Sequence, residues 1–165
     1  MTREATPLDV IEGRAKWCVV CGERDEVLAS LGDAAVDVTL TDPPYNERTH
    51  KGAKARGGKL ERDTTVRFAE LDGFAWWRET LRLTRRWCLA FCALEDLGEY
   101  QRAFAESWVR SGAWHRTDGA PQFTGDRPGP GWEGVAFLHR EGGAMTWNGG
   151  GRSSVFTVPR VNGQH

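Results

Sequence analysis

Residues 36–46 have the sequence VDVTLTDPPYN, in which a polar turn directly follows a run rich in β-branched residues. The first five of these residues predict a buried β-strand. A carboxylate, two prolines and an aromatic ring then stand where the strand ends. Because ligands of open α/β sheets bind beyond the carboxyl ends of strands, Asp42, Pro43, Pro44 and Tyr45 are candidate functional residues.

These four residue types suit methyl transfer to the exocyclic amino group of a nucleic-acid base. The lone pair of that nitrogen is delocalised into the ring, and acceptors on its N–H bonds free the lone pair for attack. Asp42 offers a carboxylate that also stabilises developing positive charge, and Pro43 offers a carbonyl on a turn of fixed φ. Pro44 shapes the turn, and Tyr45 offers a flat face for an extruded base. The structural alternative is a Pro-Pro turn with a helix-capping Asp.

The tetrad at 42–45 resembles the catalytic motif of DNA amino-methyltransferases, which methylate adenine N6 or cytosine N4 with S-adenosylmethionine. Residues 21–46, CGERDEVLASLGDAAVDVTLTDPPYN, are similar to the opening of the β group of this family, known from phage and bacterial restriction-modification systems. The resemblance implies double-stranded DNA as the partner, S-adenosylmethionine as the cofactor and adenine N6 as the favoured target. It also implies that Gly22, Glu23 and Asp42 contact the cofactor, with Glu23 where the family usually has Asp.

Length and composition limit the possible classes of protein. The chain has 165 residues, a formal net charge of −1 and 39% hydrophobic residues, which predict one globular domain or part of one. With so little net charge, any DNA-binding surface must be local. Because no apolar run reaches membrane-spanning length and no signal peptide is present, we expect a soluble, cytoplasmic protein.

The four cysteines, Cys18, Cys21, Cys88 and Cys92, raise the alternative of a zinc-bound nucleic-acid module. Both pairs lie in strand-like runs. On a strand, positions four apart, as Cys88 and Cys92 are, are separated by roughly 13 Å. That distance is too long for two thiolates on one zinc ion. We therefore expect buried thiols and no metal site.

The order of periodic segments predicts an α/β fold. Strands are expected at 17–21, 36–40, 87–94, 114–117 and 135–139, and helices at 24–31, 73–84 and 95–111. Together with the resemblance, this order implies a partial Rossmann-like methyltransferase sheet with helices on both faces and a C-terminal loop-rich recognition segment. The expected division is an N-terminal arm (1–16), the catalytic part (17–140) and a target-recognition or linker segment (141–165).

Residues 47–62 form a basic loop that leaves directly from the proposed catalytic turn. Its candidate phosphate-binding residues are Arg48, Lys51, Lys54, Arg56 and Lys59. A solvated surface loop is the alternative, but flexible basic segments bind phosphates and order on contact. The resemblance adds two further DNA-binding candidates, Arg127 in a Gly-Asp-Arg-Pro run and Arg152 in the recognition segment.

The 165 residues contain no Asp-Pro-Phe-x-Gly-Ser-Gly type of loop, which cradles the cofactor in the family that the chain resembles. We expect that loop to come from a second polypeptide or a missing C-terminal half. The alternative functions are a non-catalytic remnant that binds DNA or a partner protein, and half of a split enzyme that is inactive alone.

The basic loop generates a first prediction. Changing Lys51, Lys54 and Arg56 together to Ala should weaken DNA binding for all sequences alike. For every phosphate that the loop no longer binds, the slope of log affinity against log salt should flatten by up to about 0.9. Fluorescence anisotropy over a salt series measures that slope, with Arg24→Ala as a single-charge control outside the loop. An unchanged slope would identify residues 47–62 as an ordinary solvated loop.

Overall fold

The computed structural model describes residues 4–43, 74–119, 122, 124–129 and 131–159. The helices are α1 (Pro7–Ile11), α2 (Arg24–Ala29), α3 (Ala75–Leu83) and α4 (Leu97–Ala103), with a 3-10 turn at Leu94–Asp96. The strands are β1 (Val36–Thr41), β2 (Thr84–Cys92), β3 (Trp108–His115), β4 (Trp132–His139) and β5 (Val155–Thr157).

The five strands form one mixed sheet in the order β1-β2-β4-β3-β5. Strand β1 runs parallel to β2, β4 runs antiparallel to both β2 and β3, and β5 runs parallel to β3. The predicted α/β class is therefore confirmed. Because β1, β2 and β3 point the same way, their carboxyl ends meet at one end of the sheet.

The main hydrophobic core lies between α3, α4 and one face of the sheet. Side-chain alternation directs Cys88, Ala90 and Cys92 of β2 to this face. Trp77 of α3 is fully buried there, and its indole N–H donates a 3.0 Å hydrogen bond to the hydroxyl of Tyr100 on α4. This bond joins the two helices inside the core.

The opposite face of the sheet carries a second cluster built on Trp87, Val135 and Phe137. Trp147 packs edge-on against Trp87 and Phe137, with ring centroids 5.4 and 5.9 Å away. The indole N–H of Trp87 also donates to the Thr146 carbonyl at 2.8 Å. The segment before β5 is thereby fastened to this face.

The prediction of a buried strand at Trp17–Cys21 is wrong. These residues form no strand, and Trp17 is 73% exposed. Residues 17–21, the helix after them and β1 were expected to form a strand–helix–strand unit. Strand β1 instead has β2 as its parallel neighbour. A short apolar run becomes a strand only when another strand pairs with it, and no described residue does so here.

The prediction of one long helix at Glu95–Ser111 is also wrong. Helix α4 ends at Ala103, and Trp108 begins β3, where it pairs with Leu138. Trp108 still packs against the core formed by Tyr100 and Phe104, but from the sheet. The regularly spaced apolar residues of 95–111 thus reach the core from two elements, α4 and β3. The aromatic and β-branched residues of β3 favour a strand.

The remaining elements lie close to their predicted positions. Helices α2 and α3, strands β1 and β2, and the antiparallel pair β3–β4 are confirmed, and both strands of that pair are longer than expected. Strand β1 is not buried as predicted, because Val38 and Leu40 are 52% and 66% exposed. No helix among the described residues has the length and apolar character needed to cross a bilayer.

The core generates a second prediction. Changing Tyr100 to Phe should destabilise the protein by about 1–3 kcal/mol, because the buried indole N–H of Trp77 loses its acceptor. Urea denaturation followed by circular dichroism measures the change. Thr157→Val removes an exposed hydroxyl and should shift the free energy of unfolding by no more than about 0.5 kcal/mol. Equal effects of the two changes would show that the Trp77–Tyr100 bond contributes nothing.

Candidate active site

The candidate catalytic turn begins directly after β1. Thr41 pairs with Ala90 of β2, so the chain is held in the sheet until the residue before Asp42. Asp42 is exposed and Pro43, next to it, is buried. The burial of Pro43 anchors the turn while the carboxylate of Asp42 stays accessible, which is the arrangement that an acceptor of a ligand N–H needs.

The neighbouring strand end also carries acidic residues. Strand β2 ends at Cys92, and Glu95 and Asp96 follow in the 3-10 turn. Burial, followed by the charge of Asp96, raises the pKa of Cys92 to about 12. Glu95 and Asp96 thus follow the carboxyl end of β2, the strand that pairs with β1.

The loop between β3 and β4 leaves from the same end of the sheet. Within it, Arg127 is exposed and forms a 2.8 Å ion pair with the adjacent Asp126. The base of the loop is closed by a 2.9 Å ion pair between Arg116 and Glu133, and by a hydrogen bond from the Arg116 N–H to the Gly131 carbonyl. Arg127 thus lies in a loop that starts at the same end of the sheet as Asp42, but from β3, which is three strand spacings or roughly 14 Å from β1.

Arg152 is placed differently. It precedes β5, the last strand of the sheet, whereas Asp42 follows β1, the first. Four strand spacings separate the two edge strands, roughly 19 Å. Arg152 is exposed and lines a cavity on the Trp87–Phe137 face. The structure therefore does not bring Arg152 to the candidate catalytic turn.

Gly22 and Glu23 lie in an exposed, extended stretch that leads into α2. Glu23 occupies the N-cap position of that helix without a side-chain hydrogen bond to it. The strand that was expected to hold these residues beside β1 is not formed, so as placed they make no cradle for S-adenosylmethionine. Their role in cofactor binding stays a prediction.

Several predicted site residues lie outside the described part of the chain. They are Pro44, Tyr45, Arg48, Lys51, Lys54, Arg56 and Lys59.

Two of the four cysteines match the predicted role of buried apolar groups. Cys88 and Cys92 are buried, and burial raises the pKa of each thiol. Cys18 is half-buried and Cys21 is exposed, so the prediction is wrong for these two. No group of three or more His, Cys, Asp or Glu side chains within the described ranges is arranged to hold a metal ion.

Two arginines that sequence reasoning missed hold the segment before β1 and the first residues of β1. Arg82 of α3 donates to the carbonyls of Leu28 and Leu31 and pairs with Asp33 at 2.7 Å. Arg85 of β2 pairs with Asp37 of β1 at 2.6 Å. The available signal was the basic pair Arg85 and Arg86 between the predicted helix and the predicted strand.

Comparison with known proteins was made at three levels. No protein-family model matches the chain, and no curated protein matches it. Solved structures with a similar fold include M1.HpyAVI in complex with SAM, at 16% identity and a TM-score of 0.43. That match covers 84% of this chain and 53% of the other chain.

A second similar structure is TTHA0409 of Thermus thermophilus, described as a candidate DNA modification methylase. It is 19% identical with a TM-score of 0.46, and the match covers 77% of this chain and 55% of the other. The present chain spans about half the length of each.

Proposed function

We propose that this chain carries the catalytic turn of a DNA amino-methyltransferase that uses S-adenosylmethionine and acts on adenine N6. The observation that carries the proposal is the place of Asp42 and Pro43. An exposed carboxylate and a buried proline follow the last paired residue of a parallel strand. Ligand-binding residues of open α/β sheets stand at such strand ends.

In the proposed reaction, Asp42 and the Pro43 carbonyl accept hydrogen bonds from the two N–H bonds of the target amino group. These bonds free the nitrogen lone pair, and the carboxylate stabilises positive charge as the nitrogen gains its methyl group and releases a proton. S-adenosylmethionine, when bound, supplies the methyl group. Tyr45 provides a stacking surface for the extruded base, and Pro44 fixes the turn.

DNA binding in this proposal depends on positive charge near the catalytic turn. Arg127 lies in the loop at the same end of the sheet, and the basic loop at 47–62 follows the turn in sequence. Phosphate contacts of this kind position the duplex without reading its sequence. In this proposal, Arg127 and residues 47–62 bind the DNA backbone while a base is extruded toward Asp42.

Asp42 generates a third prediction. Asp42→Ala should abolish methyl transfer while DNA affinity stays within about twofold, because the carboxylate acts on the transition state and phosphates dominate binding. Asp42→Asn keeps one acceptor oxygen without the charge and should show intermediate activity. Mass spectrometry of digested DNA measures the product, and anisotropy measures affinity. Asp25→Ala on α2 removes an exposed carboxylate elsewhere and should leave both unchanged.

Two outcomes of this assay would count against the proposal. Activity in the Asp42→Ala variant would refute the catalytic role of the carboxylate. N4-methylcytosine as the sole product would refute adenine N6 as the target. The assay includes any polypeptide that completes the enzyme, since the chain alone is proposed to be inactive.

The completing polypeptide is the second part of the proposal. Within the described residues, no strand pairs with the outer edge of β1, and Val38 and Leu40 expose apolar side chains there. Parallel strands are normally covered on both faces and paired on both edges. A polypeptide that adds a strand beside β1 and also packs on the face that carries Val38 and Leu40 would cover these side chains and bring cofactor-binding residues next to Asp42.

This open edge generates a fourth prediction. The 165-residue chain alone should self-associate and bind S-adenosylmethionine weakly or not at all. Adding a polypeptide with the glycine-rich loop should restore a monodisperse complex, cofactor binding and activity together. Light scattering and calorimetry measure these properties.

A matched pair of variants distinguishes self-association through the β1 edge from nonspecific hydrophobic association. Leu40→Lys should reduce self-association, because a charge on an edge strand opposes pairing with another chain. Met145→Lys changes a similarly exposed apolar residue outside both edge strands and should have little effect. A monomer that binds the cofactor at micromolar strength without any addition would contradict the proposal.

A further inference from the structure

A cavity of about 250 Å³ lies on the sheet face away from α3 and α4. Its walls include Trp87 and Phe137 from the sheet, Trp147, Arg110 of β3, and residues 150–154 before β5. The proposed methyl transfer uses none of these residues. The cavity adjoins β2, β4 and β3, and β4 lies two strand spacings from β1, roughly 10 Å.

The aromatic wall of the cavity is fixed by its surroundings. The Trp147 ring meets the rings of Trp87 and Phe137 at 69° and 77°, so the three rings form a corner. Gly149 packs so closely on the indole of Trp147 that a Cβ at this position would clash with Nε1. Even so, Trp147 stays 43% exposed. A flat ligand would therefore meet a preorganised aromatic surface that is open to solvent.

A second glycine closes the floor of the cavity. At Gly112 of β3, a Cβ would lie 2.5 Å from the Phe137 ring and 2.9 Å from the Ser154 carbonyl oxygen. The absence of a side chain lets residues 153–154 approach the sheet, where the Ser154 hydroxyl donates to the Ser111 carbonyl at 3.1 Å. Both glycines bring the walls of the cavity together.

The charge of the cavity is positive. Arg110 and Arg152 line it, no carboxylate does, and neither guanidinium pairs with a carboxylate of the described residues. A larger cavity of about 640 Å³ offers a contrast, since Glu106 and Glu141 line it beside its arginines. One of those arginines, Arg82, is already paired with acidic residues. The smaller cavity is thus the better site for an anion.

We propose that this cavity binds one nucleotide, with the base against Trp147 and the phosphate at Arg110 and Arg152. Aromatic faces stack on any base, and guanidinium groups bind phosphate oxygens by charge-assisted hydrogen bonds. The volume lies just below the usual range for small-molecule sites, which begins at about 300 Å³, and admits a single base. The ligand is a free nucleotide or one unstacked nucleotide of a single strand. The proposal does not depend on methyl transfer at Asp42.

Isothermal titration calorimetry of the full chain with adenosine monophosphate tests this proposal, with adenosine as the ligand that lacks the phosphate. The unchanged protein should bind the monophosphate at least about tenfold more tightly than adenosine. Arg110→Ala with Arg152→Ala should remove that difference. Trp147→Ala should weaken both ligands by about tenfold, and Trp147→Phe should retain most of the affinity because a ring remains.

The control is Arg102→Ala, which removes the same charge in the larger cavity and should leave the affinity for adenosine monophosphate unchanged. Circular dichroism verifies that each variant is folded. Competition by a single-stranded hexanucleotide would identify a strand as a source of the nucleotide, and its absence would identify the free nucleotide. No binding by the unchanged protein would overturn the proposal. The proposal would also be overturned if adenosine monophosphate bound with equal affinity to three proteins: the unchanged protein, the Trp147→Ala variant and the Arg110→Ala/Arg152→Ala variant.

Discussion

Strand β1 has one neighbour in the described sheet, and the position of Asp42 depends on that single pairing. The register with β2 continues to Thr41, so the backbone hydrogen bonds stop one residue before the candidate catalytic carboxylate. The amino end of the strand is fixed by side chains as well. The hydroxyls of Thr39 and Thr84 share a 2.6 Å hydrogen bond, and Arg85 pairs with Asp37.

These side-chain contacts matter because an edge strand loses the stabilisation that a second neighbour would give. The Arg85–Asp37 pair is exposed, so it contributes at most about 1 kcal/mol. The Thr39–Thr84 bond is shielded, since Thr84 is almost fully buried. The partly buried threonine pair therefore fixes the register of β1 more firmly than the surface ion pair. A ligand that needs Asp42 in one position relies on this part of β1.

The sequence allowed the prediction of features that depend on neighbouring residues along the chain. The β-branched run at 36–40 did form β1, and Asp42 and Pro43 do follow its last paired residue. At 104–111 the local period could not distinguish a helix from a strand, because Trp108 reaches the same core from either. The secondary structure there is determined by the pairing of Trp108 with Leu138, thirty positions away in the chain.

Contacts between distant segments account for the other differences. Trp17–Cys21 has the composition of a strand but no described partner, and the clamp that Arg82 forms on the end of α2 depends on the packing of α3. Trp17, Val19 and Val20 stay exposed, as do Val38 and Leu40 on β1. Side chains of this size are costly to leave in water, each by about 1.5–3 kcal/mol. The two exposed segments therefore share one property, large apolar side chains in contact with water, and Asp42 stands at the end of one of them.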